Sequence, residues 1–342
     1  MNVENIAKAQ PTASQVHIDR PLTDVSIAYI QGQDEFIADK VFKPIKSDKQ
    51  SNMYYKFEKE YFLSGGSELQ VAEGAPTKSS GFGLTTDTYI CKVYGFSHMI
   101  SDEARANQDE AVNLDKTATM LVTSRLLITK EKMFANTAFN ATAWSHSATG
   151  AATASATQFV YWDDANSDPI VNVRKARMAV KKSTGFAPNV MVISEDVFEV
   201  LCQHPKIIDR YKYTTSNVIT ADMLAKLFEL KRIEIAKAIA INDGIAEGSD
   251  AANQDASYGW IMTNGALLLY VPDQVSVLQP ASGYGFYWTG LAGAGTSEKG
   301  VAIKTYRSER RRSDIVEGLT AFEYKVVCKD LGYFFKNCLK SS

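Results

Sequence analysis

The sequence predicts a mixed α/β protein of the α+β kind, built from an arm, a long β-hairpin, one long helix and a separate α/β region. Three observations predict it. Two aromatic, roughly alternating runs flank about two dozen turn-forming residues; a stretch of nearly thirty residues holds neither proline nor glycine; and apolar strands then alternate with capped helices.

Residues 1–52 have the character of an arm. Pro11, Pro21 and Pro44 interrupt them, and their apolar residues fall in short clusters such as Ile27–Ile30. Phe36-Ile37-Ala38 and Val41-Phe42 before Lys43-Pro44 predict one short helix with an extended exit. Such scattered anchors have to be buried against the chain's own body or against a neighbour, which makes Tyr29, Phe36 and Phe42 contact candidates.

Residues 53–100 carry the clearest β signal. Met53 to Tyr61 reads as one strand and Thr85 to Phe96 as another, with Ser64-Gly65-Gly66-Ser67, Glu73-Gly74-Ala75-Pro76 and Ser79 to Gly83 between them. That connection is far longer than an ordinary hairpin loop and lacks a core of its own, the profile of a contact loop. Gly65, Gly66, Lys78 and Phe82 mark its tip.

Ser101-Asp102-Glu103 opens a helical region, acidic at its start as the helix dipole favours. From Ala111 to Phe139 the residues Ala111, Leu114, Ala118, Leu121, Ile128 and Ala135 form a stripe at helical spacing. Arg125 and Lys132 interrupt it, so the buried face is expected to drift toward Val122, Leu126 and Met133. A helix of that length spans on the order of 40 Å and suits a mechanical spine.

Ser145 to Thr157, rich in Ser, Ala, Thr and Gly, is expected to be a surface loop closing the 101–164 segment. In 165–278, Asp168-Pro169 caps a helix that leaves at Gly185; Val190–Ile193 is a buried strand; Ser194 caps a helix through Leu201; Thr220 caps another through Phe228. Strands follow at Ile233–Ile241, Tyr258–Met262 and Leu267–Val271. In 279–342, Gln279 to Gly300 reads as a glycine- and aromatic-rich connector, and the last forty residues as strands returning beside the long helix.

Composition narrows the function. Hydrophobic residues at 45% and charged ones at 22% support a sizeable core. A net charge of −2 disfavours a nucleic-acid-binding surface field. No run reaches the length of a membrane span, and the amino terminus lacks the pattern of a secretory signal, so a cytoplasmic site of synthesis is expected. The four cysteines, Cys91, Cys202, Cys328 and Cys338, are scattered and fit a reducing compartment.

Catalytic and metal chemistry finds little support. His17, His98, His146 and His204 lie far apart, and Cys202-x-His204 supplies only two of the ligands a zinc site needs. Gly290, Gly293 and Gly295 match neither a P-loop nor a dinucleotide fingerprint, and no G-x-S-x-G occurs. Asp163, Asp164 and Asp168 read more naturally as a solvated loop with a helix cap than as a cation site. No metal, cofactor or enzymatic activity is expected. The basic run Arg307, Arg310, Arg311 and Arg312 is interleaved with Glu309, Asp314 and Glu317. Mixed signs favour a subunit-boundary ion pair over DNA contact, with a solvated face about as plausible.

Local sequence resembles the major capsid proteins of tailed bacteriophages, whose fold is named after phage Hong Kong 97. Tyr29 to Pro44 (YIQGQDEFIADKVFKP) is similar to that family's amino-terminal segment. Leu201 to Tyr213 (LCQHPKIIDRYKY), with Val218-Ile219-Thr220 and Leu224 to Phe228, looks like its central domain, and Tyr306-Arg307, Asp314-Ile315-Val316 and Phe335-Lys336-Asn337 look like its carboxyl end. The resemblance implies an N-terminal arm (1–52), an E-loop (53–100), a P-domain of spine helix (101–164) and returning strands (279–342), and an A-domain (165–278). It implies self-assembly into hexamers and pentamers of an icosahedral shell around packaged double-stranded DNA, in a virion assembled in the host cytoplasm without a membrane. A separate scaffolding protein, a portal and a decoration protein are the partners it brings. Some relatives join a loop lysine to a neighbour's asparagine; Lys78 and Asn337 occupy comparable places, but any chain this size offers such residues. An encapsulating shell of the same fold is the alternative function, and an α/β enzyme the more distant one.

Overall fold

The computed structural model describes residues 35–66, 69–77, 79, 81, 83–107, 113–212, 219–241, 258–275, 279–291 and 300–340. Two sheets share one long helix. The first sheet is organised by β14 (Ser313–Val326), fourteen residues long, which has β4 (Lys92–Ser101) on one edge. On its other edge β13 (Val301–Ser308) and β12 (Gly283–Trp288) follow one another, and β1 (Pro44–Ser47) adds in parallel to β12. The second sheet has six strands in the order β6 (Gln158–Val160), β5 (His146–Ala151), β15 (Gly332–Lys336), β11 (Gly265–Leu269), β7 (Val190–Ser194) and β8 (Arg232–Ala236). Strands β7 and β11 are buried at every position, as continuous apolar runs covered on both faces should be.

The spine helix, Leu114–Ala138, is about 37 Å long at 1.5 Å per residue. Asn113 caps it, its side-chain oxygen accepting from the Lys116 amide at 3.0 Å. Its first half lays Ala118, Val122 and Leu126 on the first sheet, and its second half lays Phe134 and Ala138 on one face of the second. The drift of the buried face to Val122 and Leu126 is therefore as expected, while Met133 is half-buried and Leu121 exposed. Lys130 and Glu131 are buried on the same face, which the apolar pattern did not anticipate. Gly318 of β14 lets this helix close on the sheet, since a Cβ there would stand 2.4 Å from a Val122 methyl and 2.8 Å from a Leu126 methyl. Gly318→Val is expected to cost about 1–3 kcal/mol, read as a lowered urea midpoint of the unassembled subunit.

The predicted helix caps at Asp168 and Thr220 are present, opening helices Pro169–Thr184 and Ala221–Leu227, and the first ends at Gly185 with φ +82°. These helices, with Glu195–Gln203 and Pro205–Tyr211, cover the other face of the second sheet around Trp162, Leu201, Ile207 and Phe228. Several local expectations differ. Met53–Tyr61 is a strand only as far as Phe57, and Lys59–Leu63 is a short helix. Ser194 precedes its helix but makes no cap; its hydroxyl donates instead to the Gly265 carbonyl at 3.1 Å, tying β7 to β11. The 145–157 stretch is not a loop throughout, because His146–Ala151 pairs in parallel with β15. Within the expected 279–300 connector lies the buried strand β12. Ile233–Ile241 is two strands, β8 and β9 (Ile239–Ile241), the latter pairing with β10 (Tyr258–Trp260). Among the returning strands β13 and β14 flank the spine helix, whereas β15 enters the centre of the six-stranded sheet.

Candidate assembly surfaces

The hairpin of β2 (Ser51–Phe57) and β3 (Leu84–Ile90) pairs antiparallel from Ser51↔Ile90 to Phe57↔Leu84. Alternation gives its two faces different tasks. Tyr54, Lys56, Asp87 and Tyr89 point to the body. Tyr89 stacks on Phe286 with ring centroids 4.1 Å apart, and Tyr54 stacks on the same ring at 5.7 Å. Asp87 accepts from Lys56 at 2.7 Å, Lys325 at 2.9 Å and Tyr54 at 3.0 Å. These bonds, the Lys56 ammonium first, hold the Asp87 carboxyl well below the usual carboxylate range despite some desolvation. Burial, with the hydrogen bond to Asp87, pushes the Tyr54 phenol up. Glu323 of β14 accepts from the Ile90 amide at 2.6 Å. Where the single expected strand splits, Cys91 is fully buried, and its thiol is pushed up to about 11 by burial, the environment of an inert thiol.

The opposite face of the hairpin is exposed and apolar. It carries Met53, Tyr55, Leu84 and Ile90, with Tyr55 66% and Met53 63% exposed, interspersed with Thr86 and Thr88. Beyond it the short helix Lys59–Leu63 and the tip residues Gly65 and Gly66 are also exposed. Lys59 forms an ion pair with Asp330, so the loop end of the paired strands is also tied to the residues just before β15. Large apolar side chains held out on a strand pair make this face a candidate contact surface.

The basic run lies where β13 turns into β14. Arg307 donates to both oxygens of Asp102, at 2.5 and 2.7 Å, and reaches Asp314 and Glu309; Arg105 bridges Asp115 and Asp314. The Arg307 hydrogen bond holds Asp102 below its ordinary range. Arg307 is thus spent within the subunit, in exposed pairs that salt screens. Arg310, Arg311 and Arg312 project from the turn, exposed, with φ +46° at Arg312, and no ion pair holds them among the described residues.

The remaining sequence candidates separate. Phe42 is fully buried in the subunit's own core, its ring edge-on to Phe134 at 5.1 Å, so it offers no surface to a neighbour. Phe36 is half-buried. Tyr29, Lys78 and Phe82 lie outside the described residues. Asn337 is exposed just after β15, with φ +51°. His204 is a buried cap: its Nδ1 accepts from the Lys206 amide at 3.2 Å and its Nε2 meets the Ser167 hydroxyl at 2.9 Å. Among the described residues no group of three His, Cys, Asp or Glu could hold a metal ion. An open concavity of about 180 Å³ beside the spine helix is lined by Lys132, Asn136, Ile241 and Trp260, among others, and holds no paired acid and base.

Sequence reasoning missed a buried polar cluster that joins the arm to the body. Lys130 Nζ lies 2.6 Å from Asp39 and 4.7 Å from the centre of the Tyr287 ring. The Tyr287 and Tyr324 hydroxyls both donate to the other Asp39 oxygen, the second at 2.6 Å. Burial alone would raise the Asp39 pKa, but the Lys130 charge and these hydrogen bonds leave it lowered. Next to it, Glu131 Oε2 accepts from the amides of Ile37 at 3.2 Å and Ala38 at 3.1 Å. One signal was legible: Val122, Leu126, Lys130 and Phe134 form one row at four-residue spacing, with a lysine where an apolar residue was due.

A short helix of the arm on a spine helix, a hairpin with one exposed face and an α/β region joined to the rest by the carboxyl-terminal strands define the fold class. The chain has the Hong Kong 97-like capsid fold. A phage-related protein from Bordetella bronchiseptica superposes with a TM-score of 0.67 at 23% identity, covering 94% of this chain and 98% of that one. The capsid protein of cyanophage P-SCSP1u superposes with a TM-score of 0.52 at 12% identity, covering 88% and 86%. The family described as phage major capsid protein E matches residues 151–250. The major capsid protein of Burkholderia phage BcepMu is 24% identical over 321 residues, 92% of this chain and 95% of its own length. The resemblance to phage major capsid proteins thus extends over nearly the whole chain.

Proposed function

We propose that the chain is the shell-building subunit of a phage head, with a structural rather than a catalytic role. It assembles through hexamers and pentamers into an icosahedral capsid that encloses double-stranded DNA. The observation that carries this reading is the two-faced hairpin: one face is pinned to the body by Phe286, Asp87 and Glu323, while the other presents Met53, Tyr55, Leu84 and Ile90 to solvent. Residues 53–100 act as the E-loop lying over a neighbouring copy, 101–164 and 279–342 as the P-domain, 165–278 as the A-domain, and 1–52 as the arm. Weak contacts repeated around every subunit give a closed, cooperative shell. The exposed guanidiniums of Arg310, Arg311 and Arg312 meet carboxylates of an adjacent copy at a subunit boundary. A separate scaffolding protein and a portal accompany assembly, and the DNA is an enclosed neighbour without sequence-specific contact, in keeping with a net charge of −2.

Negative-stain electron microscopy of the full chain, expressed alone and with its neighbouring genes, tests the reading. Rings of five and six or closed polyhedra are expected, and a uniform monomer or dimer under both conditions would overturn it. Deletion of residues 64–81 removes the hairpin tip beyond the paired strands and leaves the body's contacts in place. The variant should give folded, soluble subunits that form no shells, and normal shells would remove the hairpin from assembly.

A further inference from the structure

The cluster beneath the arm contains a carboxylate whose situation differs from the ion pair beside it. Glu131 has no exposed surface, yet among the described residues no cation bonds to it. One oxygen takes the amides of Ile37 and Ala38, at the start of the short helix Ala38–Val41. The other, Oε1, is buried without a hydrogen-bond partner. A full negative charge on that oxygen is poorly solvated, and a proton there relieves it. The charged and titratable groups around it come from each packed element. Asp39 on the short helix repels a charged Glu131, and Lys130 on the spine attracts it while already committed to Asp39. Tyr287 of β12 and Tyr324 of β14 direct their hydroxyls to Asp39. Arg232 of β8 donates to the Lys40 carbonyl at 2.6 Å and pairs with Glu234.

We infer that Glu131 is a proton-controlled latch that holds the segment 35–42 onto the spine helix and loosens as the solution becomes more alkaline. Burial, with the neighbouring Asp39 charge added and the two amide bonds opposing, lifts its pKa from 4.5 to about 7. Undocking returns the carboxyl to water and to its ordinary value. The sign follows from linkage: the docked state binds the proton more tightly. Docking is therefore strongest below about pH 4.5, weakens as pH rises between the two values, and levels off above about 7. The latch belongs to a single subunit, whether or not copies assemble. In an assembled particle it would make the arm's release respond to pH near neutrality.

Amide hydrogen exchange of the intact full-length chain between pH 5 and pH 8, corrected for the chemical exchange rate, reads the latch directly. Protection of peptides covering 35–42 should fall on the order of a hundredfold across that range. Peptides covering β7 and β11 should keep theirs. In Glu131→Gln the amide oxygen still accepts from Ile37 and Ala38, and the pH dependence should disappear. Protection of 35–42 that is flat with pH in the wild-type chain overturns the latch, even if the variant does not fold. A parallel loss in β7 and β11 overturns it as well, because it reports global unfolding.

Discussion

Lys130→Ala is expected to destabilise the subunit by about 3–5 kcal/mol, among the largest effects of any single change outside the apolar core. Lys130 is 2% exposed and Asp39 accepts two phenol hydrogen bonds besides its ammonium. Removing the lysine takes from the partly buried Asp39 carboxylate the ammonium that neutralises it, and removes a cation from the faces of Tyr287 and Phe322. Replacing both partners, as Asp39→Leu with Lys130→Met, should restore only part of the loss: a buried pair contributes little net stability over apolar groups of similar volume, but the Tyr287 and Tyr324 hydroxyls lose their acceptor. Urea denaturation of the unassembled single and double variants decides the matter. A loss under about 1 kcal/mol for Lys130→Ala would mean that water already solvates the pair. The acid limb supplies a second reading. Asp39 has a lowered pKa, so its contribution is complete above the unfolded value near 3.8 and is lost as pH falls through the folded value. Glu131 acts in the opposite sense and weakens docking as pH rises toward about 7. Two adjacent carboxyls therefore bound a mildly acidic window in which the arm is held best.

What the sequence made legible was whatever local physics decides. The spine helix has no proline or glycine, the Asp168-Pro169 start and Gly185 exit are capping chemistry, and the hairpin strands alternate in their own residues. The misread segments share another feature: their partners are far away in the chain. Strand β5 is made of small residues and becomes a strand because β15, almost two hundred residues later, lies beside it; a Cβ on Gly150 would fall 1.9 Å from the Asn337 carbonyl oxygen. Strand β12 looked like a glycine-rich connector because Gly283 and Gly285 resemble turn residues. Their role is steric, since side chains there would strike the rings of Phe42 and Tyr324. The candidate contact surface was half legible. The exposed hairpin face follows from alternation, whereas the division of the arginines into Arg307, bound at home, and Arg310–Arg312, facing outward, depends on where Asp102 and Asp314 arrive in space.

Phe42 separates the two meanings an apolar arm residue can have. As an anchor for a neighbouring subunit, it would affect assembly and leave the isolated subunit's stability unchanged. Its actual environment predicts the reverse. The ring is fully buried, edge-on to Phe134 at 5.1 Å and near Tyr324 at 6.4 Å, and it rests on Gly283, whose missing Cβ would otherwise be 2.3 Å from it. Phe42→Ala should cost about 3–5 kcal/mol, the range for emptying a large aromatic site. Collapse around the cavity is restrained on every side: β12 is fixed by β1 and β14, and Phe134 by the spine helix. The urea midpoint of unassembled subunits should drop accordingly, and any assembly defect should be rescued at low temperature, where the weakened subunit still folds. A variant with wild-type subunit stability and no shells would return Phe42 to the list of intersubunit contacts and would require the arm to leave its own body when copies meet.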